Sequence, residues 1–176
     1  MRKMLLLLFV ASASASLLAQ GPQTNWAQID AETLKHFQAI VRMDTSDPPG
    51  GEKPVVDYLK QVLDAEGIAT QVFVKDAPNR PNLVARIKGS GKQKPLLLMG
   101  HTDTVNVDPN KWSHPPFSAD REEGFIYGRG TIDDKDNVIA TLMTMVMLKR
   151  LNVPLDRDVI ALFEAGEEGA SSLGVQ

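Results

Sequence analysis

The chain has 176 residues, the size of one ordinary domain, and its 43% apolar content suffices for a packed core. With 19 basic and 22 acidic side chains the formal net charge is −3, a poor match for a phosphate backbone, so no nucleic-acid partner is expected. Cysteine is absent, which excludes disulfides, thiolate zinc fingers, iron–sulfur clusters and cysteine nucleophiles and leaves nitrogen and oxygen to hold any metal.

Residues 1–19 have the layout of a secretory signal peptide. Arg2 and Lys3 form a positive n-region, Met4 to Val10 an unbroken apolar core, and small residues from Ala11 to Ser16 lead to cleavage after Ala15 or Ala19. A spanning helix needs about 20 apolar residues, and this stretch falls short, so export is expected without stable membrane insertion after cleavage. Residues 20–176 form the expected mature body.

A first helix is expected over 30–43, capped by Asp30, with Leu34, Phe37, Ile40 and Val41 at helical spacing. The prolines and glycines of Asp44–Gly51 break it. A second helix follows over 53–66, with Val55, Tyr58, Leu59, Val62 and Leu63 as its stripe and Gly67 at C′. Ile68–Val74 and Leu83–Ile87 alternate as strands. Pro95–Met99 is apolar on both faces, the pattern of a buried parallel strand. A long irregular stretch covers 102–123, of a length that in compact domains usually serves function. A helix is then expected within Asp133–Arg150, where Val138, Leu142, Met145 and Leu148 recur and the methionines Met143, Met145 and Met147 fill the core. A strand over Val159–Phe163 closes the series. Alternating helices and strands specify an α/β three-layer sandwich with a mostly parallel sheet.

In such sheets ligands gather beyond the carboxyl ends of strands. Three clusters fall there. His101 and Asp103 follow the strand ending at Met99, and residues i and i+2 of an extended segment point the same way. Asp133 and Asp134 precede a helix, where they either serve chemistry or cap the helix and offset its dipole. Glu167 and Glu168 follow the last strand, as a solvated turn or as a pair in which one carboxylate binds a cation and the other acts as general base. Each is weak alone; together, without thiols, they point to a carboxylate–imidazole metal site suited to zinc, with manganese or cobalt as substitutes.

Six blocks then carry a resemblance: VRMDTSDPPGGE, RPNLVARIKG, LLLMGHTDTV, the Trp112…Pro116-Phe117 stretch, YGRGTIDDK and FEAGEEG. In this order the chain resembles the M20 family of two-zinc metallopeptidases, which includes acetylornithine deacetylase, succinyl-diaminopimelate desuccinylase, glutamate carboxypeptidase and carboxypeptidase S. The resemblance implies two zinc ions, with His101 and Glu168 as ligands and Asp133 bridging them through a carboxylate followed by a cis peptide bond. It implies that Asp103 orients His101 and that Glu167 is the base that takes a proton from the bridging water and passes it to the leaving nitrogen. Implied substrates are small peptides or N-acyl amino acids, and the implied assembly of the longer protein is a homodimer. Asp136 and Asn137 stand where many members have glycine, which leans toward the carboxypeptidase S-like branch. The family places a further acidic ligand, a late histidine and a lid or dimerisation domain beyond the point reached by Gln176, so the chain by itself is expected to be inactive.

His36 is expected at the surface or a boundary, His114 in a structural or solvent role, and Arg129 as an ion-pair partner. Rival readings are a non-catalytic metallopeptidase-like binding domain and a zinc aminopeptidase of a related two-zinc family.

Overall fold

A computed structural model of the chain describes residues 24–169, 173 and 174; the expected signal peptide lies outside them. Among the described residues no helix is long and apolar enough to cross a membrane.

Helix α1 spans Trp26–Val41, starting four residues before the expected cap. Asn25 rather than Asp30 caps it, its side-chain oxygen accepting from the Gln28 N–H at 3.2 Å. Periodicity could not locate that start, because Trp26 in the added turn is 65% exposed and joins no apolar stripe. Helix α2, Lys53–Ala65, buries Val55, Val56, Leu59 and Leu63. It ends as expected at Gly67, whose φ of 65° allows a Schellman closure: Gly67 N–H donates to the Asp64 carbonyl at 2.9 Å and Ile68 N–H to that of Leu63 at 3.0 Å. Helix α3, Lys135–Arg150, buries Val138, Leu142, Met143 and Met145 among others, so two of the three methionines fill the core while Met147 is only partly buried.

The main sheet contains β2 (Ala69–Phe73), β3 (Asn82–Ile87), β4 (Leu96–His101) and β8 (Val159–Glu164) in the order β2-β3-β8-β4. The α/β class stands, and the parallel character is concentrated at one place. β4 and β8 pair in parallel, whereas β2–β3 and β3–β8 are antiparallel. Parallel neighbours need a long crossover, and among these strands β4 and β8 have one through α3. The long stretch after β4 also holds the two-residue strand β5 (Thr104–Val105), which pairs in parallel with β1 (Ser46–Asp47), and a hairpin of β6 (Asp120–Glu122) and β7 (Phe125–Tyr127).

One face of the sheet is covered. Leu83 and Ala85 on β3, Leu98 on β4, and Val159, Ala161 and Phe163 on β8 pack with all three helices in a single core. The register places Leu98, Ala161 and Ala85 abreast on that face. The opposite face carries Leu97 and Met99, 50% and 39% exposed. β4 was expected as a buried parallel strand; it does pair in parallel, but it lies at the edge of the described sheet, with its second apolar side turned outward.

Candidate metal centre

β4 and β8 end together, with His101 opposite Glu164 in the register. The chain beyond both ends is tied down by backbone bonds. Thr102 donates both its N–H and its hydroxyl to the Glu164 carbonyl at 2.8 Å, and the Thr45 hydroxyl donates to the Thr102 carbonyl at 2.7 Å. The α3 crossover delivers Asp133 to the same place, so all three clusters meet at the carboxyl end of the parallel pair.

The His101 side chain is 10% exposed. Its Nδ1 lies 3.1 Å from the backbone carbonyl of Asp103 and 3.5 Å from the Asp103 carboxylate. Its Nε2 faces outward, 2.9 Å from Asp133 Oδ1 and 3.9 Å from Glu167 Oε2. Ligand atoms of His101, Glu167 and Glu168 all lie within 4.8 Å of one another. Asp133 reaches this group through His101. The peptide bond from Asp133 to Asp134 is cis.

Asp103 is fully buried. Its carboxylate accepts from the N–H groups of Glu167 at 3.2 Å and Glu168 at 2.9 Å, besides facing the imidazole. Burial would raise its pKa, but His101 and the two N–H donors outweigh this and lower it. Burial would likewise lower the pKa of His101; the carboxylates of Asp103 and Asp133 reverse that and raise it to about 9. Burial and the nearby Asp133 carboxylate raise the pKa of Glu168, against the pull of His101. The four carboxylates of Asp103, Asp133, Glu167 and Glu168 around one imidazole repel one another, and a divalent cation would relieve that repulsion. The donor set of imidazole nitrogen and carboxylate oxygen therefore fits zinc, manganese or cobalt.

Two neighbouring residues support the site in ways the sequence did not assign. Asp134 begins α3, but its side chain makes no cap; Oδ2 accepts instead from the His101 N–H at 3.2 Å. Gly100 allows that approach, since a β-carbon there would stand 2.9 Å from the same oxygen. Lys135 is fully buried and donates to the carbonyls of Ile40 at 3.0 Å and Met43 at 2.7 Å, tying the start of α3 to the end of α1. Burial lowers its pKa to about 8 against the attraction of Asp44. Only the acidic neighbours of this lysine stood out in the sequence.

Other expectations change. His36 is buried, 2.7 Å from the Tyr58 hydroxyl, because α2 packs over it. His114 does have partners: it stacks on Tyr127 at 3.9 Å and lies 3.5 Å from both Asp120 and Glu122. Arg129 forms no salt bridge among the described residues; its guanidinium sits 5.2 Å from the Trp112 ring centre. A cleft of about 420 Å³, lined in part by Trp112, Phe125, Tyr127, Arg129 and Ile132, opens beside Asp133.

Comparison with known proteins agrees with the blocks read from the sequence. A probable succinyl-diaminopimelate desuccinylase of Staphylococcus aureus is 33% identical over 141 residues, covering 79% of this chain and 34% of that protein. An N-formyl-4-amino-5-aminomethyl-2-methylpyrimidine deformylase of Halalkalibacterium halodurans is 35% identical over 142 residues, covering 78% of this chain and 33% of that protein. The M20 family metallo-carboxypeptidase Sso-CP2 from Sulfolobus solfataricus superposes with a TM-score of 0.67 at 28% identity, over 78% of this chain and 31% of that one. The chain thus spans about a third of the length of these relatives. Residues 97–176, which include all five site residues, match the model of Peptidase family M20/M25/M40.

Proposed function

We propose that this chain supplies part of the metal site of an enzyme that hydrolyses amide bonds in small peptides or N-acyl amino acids. The convergence of His101, Glu167 and Glu168 within 4.8 Å, with Asp133 against His101 Nε2, carries the reading. In it His101, Asp133 and Glu168 would hold two zinc ions, with the Asp133 carboxylate shared between them, and Asp103 would orient His101. The cations, when bound, polarise the amide carbonyl and make water more acidic.

Glu167 is the general base. It is 55% exposed at the rim, facing the position a substrate would take, and its neighbour Glu168 lies deeper. In this role it takes a proton from the attacking water and returns it to the leaving nitrogen, so that no charged amide anion has to depart. Asp103 fixes where Glu167 stands through its backbone N–H. The cleft beside Asp133 offers apolar walls to a substrate side chain. Export directed by residues 1–19 and a homodimer of the longer protein belong to the same reading.

Titration calorimetry tests it. The purified chain is expected to bind zinc, the His101→Ala and Glu168→Ala variants to lose at least tenfold in affinity, and Glu167→Gln to retain it. The zinc-loaded chain by itself is expected to hydrolyse dipeptides at background rate. Unchanged affinity in both ligand variants would refute the metal assignment, and robust dipeptide hydrolysis would refute the expectation of inactivity.

A further inference from the structure

The segment 165–169, which carries Glu167 and Glu168, meets the rest of the chain at three points. In its middle, Asp103 accepts the two glutamate N–H groups. At its start, Asn82 Oδ1 accepts from the Ala165 N–H at 3.0 Å. At Gly169 the backbone comes close to Asp47 and leaves no room for a side chain: a β-carbon there would stand 2.5 Å from Asp47 Oδ2 and 2.8 Å from its Cγ.

Asp47 in turn is held by Arg80. Arg80 Nη2 donates to Asp47 Oδ2 at 2.8 Å and to Glu52 Oε1 at 2.5 Å, while Nε lies 3.1 and 3.0 Å from the two Glu52 oxygens. The arginine side chain is 5% exposed, that of Asp47 6% and that of Glu52 0%. Glu52 engages both Nε and Nη2, which fixes the plane of the guanidinium and with it the place where Nη2 meets Asp47. The tripeptide Arg80-Pro81-Asn82 therefore controls both ends of the segment, Asn82 directly and Arg80 through Asp47.

We propose that Arg80 is a positioning residue for the Glu167–Glu168 segment, acting through the Asp47 carboxylate against Gly169. It touches none of the proposed cation ligands. Its significance for metal binding rests on the function proposed above; its action on the segment does not. Were Arg80 merely a tie between the 47–52 loop and β3, its loss would lower stability everywhere alike.

Two measurements on the purified chain separate these cases. Hydrogen exchange by NMR, without metal, follows the Glu167 and Glu168 amides against those of β8. In Arg80→Lys, which keeps the charge and loses the fork, and in Gly169→Ala, which pushes Asp47 from the opposite side, the two glutamate amides are expected to exchange at least tenfold faster relative to β8. Leu59→Ala, a destabilising change in the core, is the control and should not raise that ratio, since it speeds the β8 amides at least as much as those of the loop. An unchanged ratio in both test variants overturns the proposal; if Arg80→Lys does not fold, Gly169→Ala decides alone. Cobalt titration, read by visible absorption, then tests the link to metal. A tenfold weaker affinity with altered bands in the two variants is expected, and wild-type affinity and bands would overturn it. Failure of the wild-type chain to bind cobalt would instead count against the proposed metal centre and leave the exchange result standing.

Discussion

Two clusters of charge lie beside the last described loop, and they are built on opposite plans. Around Arg80, two carboxylates share one guanidinium, and the side chains are at most 6% exposed. Around His101, carboxylates of Asp133, Glu167 and Glu168 gather with a single imidazole, and Asp133 and Glu167 are 72% and 55% exposed. The first brings its own cation and shuts out water, the plan of a structural tie. The second assembles more negative charge than its imidazole can offset and keeps it accessible, the plan of a site that exchanges something with solvent. Sequence distance does not distinguish them, since both draw on segments far apart in the chain.

The sharpest way to break the contrast is to remove the cation from the closed cluster. Arg80→Met leaves two buried carboxylates facing each other and is expected to cost about 3–5 kcal/mol in urea denaturation. A loss below about 1 kcal/mol, the range of exposed pairs, would show that this cluster is not the tie described.

The open cluster should answer to pH instead. The His101 pKa is raised to about 9 from an ordinary 6.5, so a cation has to displace a proton over that range. Zinc affinity is expected to rise about tenfold per pH unit up to pH 9, with a proton released on binding; calorimetry in buffers of different ionisation enthalpy checks both. For folding the sign runs the other way. The imidazolium's contribution is fully present below pH 6.5 and is lost as pH rises through 9, so the metal-free chain should be less stable to urea at pH 9.5 than at pH 6. The smallest effect is expected for Glu167→Gln, which removes one charge from an exposed position: within about 0.5 kcal/mol in the same denaturation assay.

Much of the open cluster was legible because each of its members sits at the edge of a local pattern. His101 follows an apolar run, Asp133 precedes a helical stripe, and Glu167 and Glu168 follow the last strand. The closed cluster was not, because no local pattern set Arg80, Glu52 or Asp47 apart from the other charged residues of the chain. The segment Asp44–Gly51 was read only as a helix breaker; it also donates Ser46 and Asp47 to a two-residue ladder whose other half lies at Thr104–Val105. Such a ladder is too short to have a periodicity. Charge alone suggested an ion pair for Arg129, and the aromatic face of Trp112 took that place. The edge position of β4 was hidden for a different reason: Leu96, Leu97, Leu98 and Met99 are apolar regardless of what lies beside them.

That outer margin of β4 has a geometric consequence. Its outward N–H and C=O groups form a template for one more ribbon of backbone. A ribbon laid there in the same direction would have to stop short of His101, because the Met99 carbonyl and the His101 N–H already bond to the side chains of Asn137 and Asp134. The start of α3 thus ends this edge beside the imidazole, so that closing off the sheet and framing the reaction space are accomplished by one and the same piece of polypeptide.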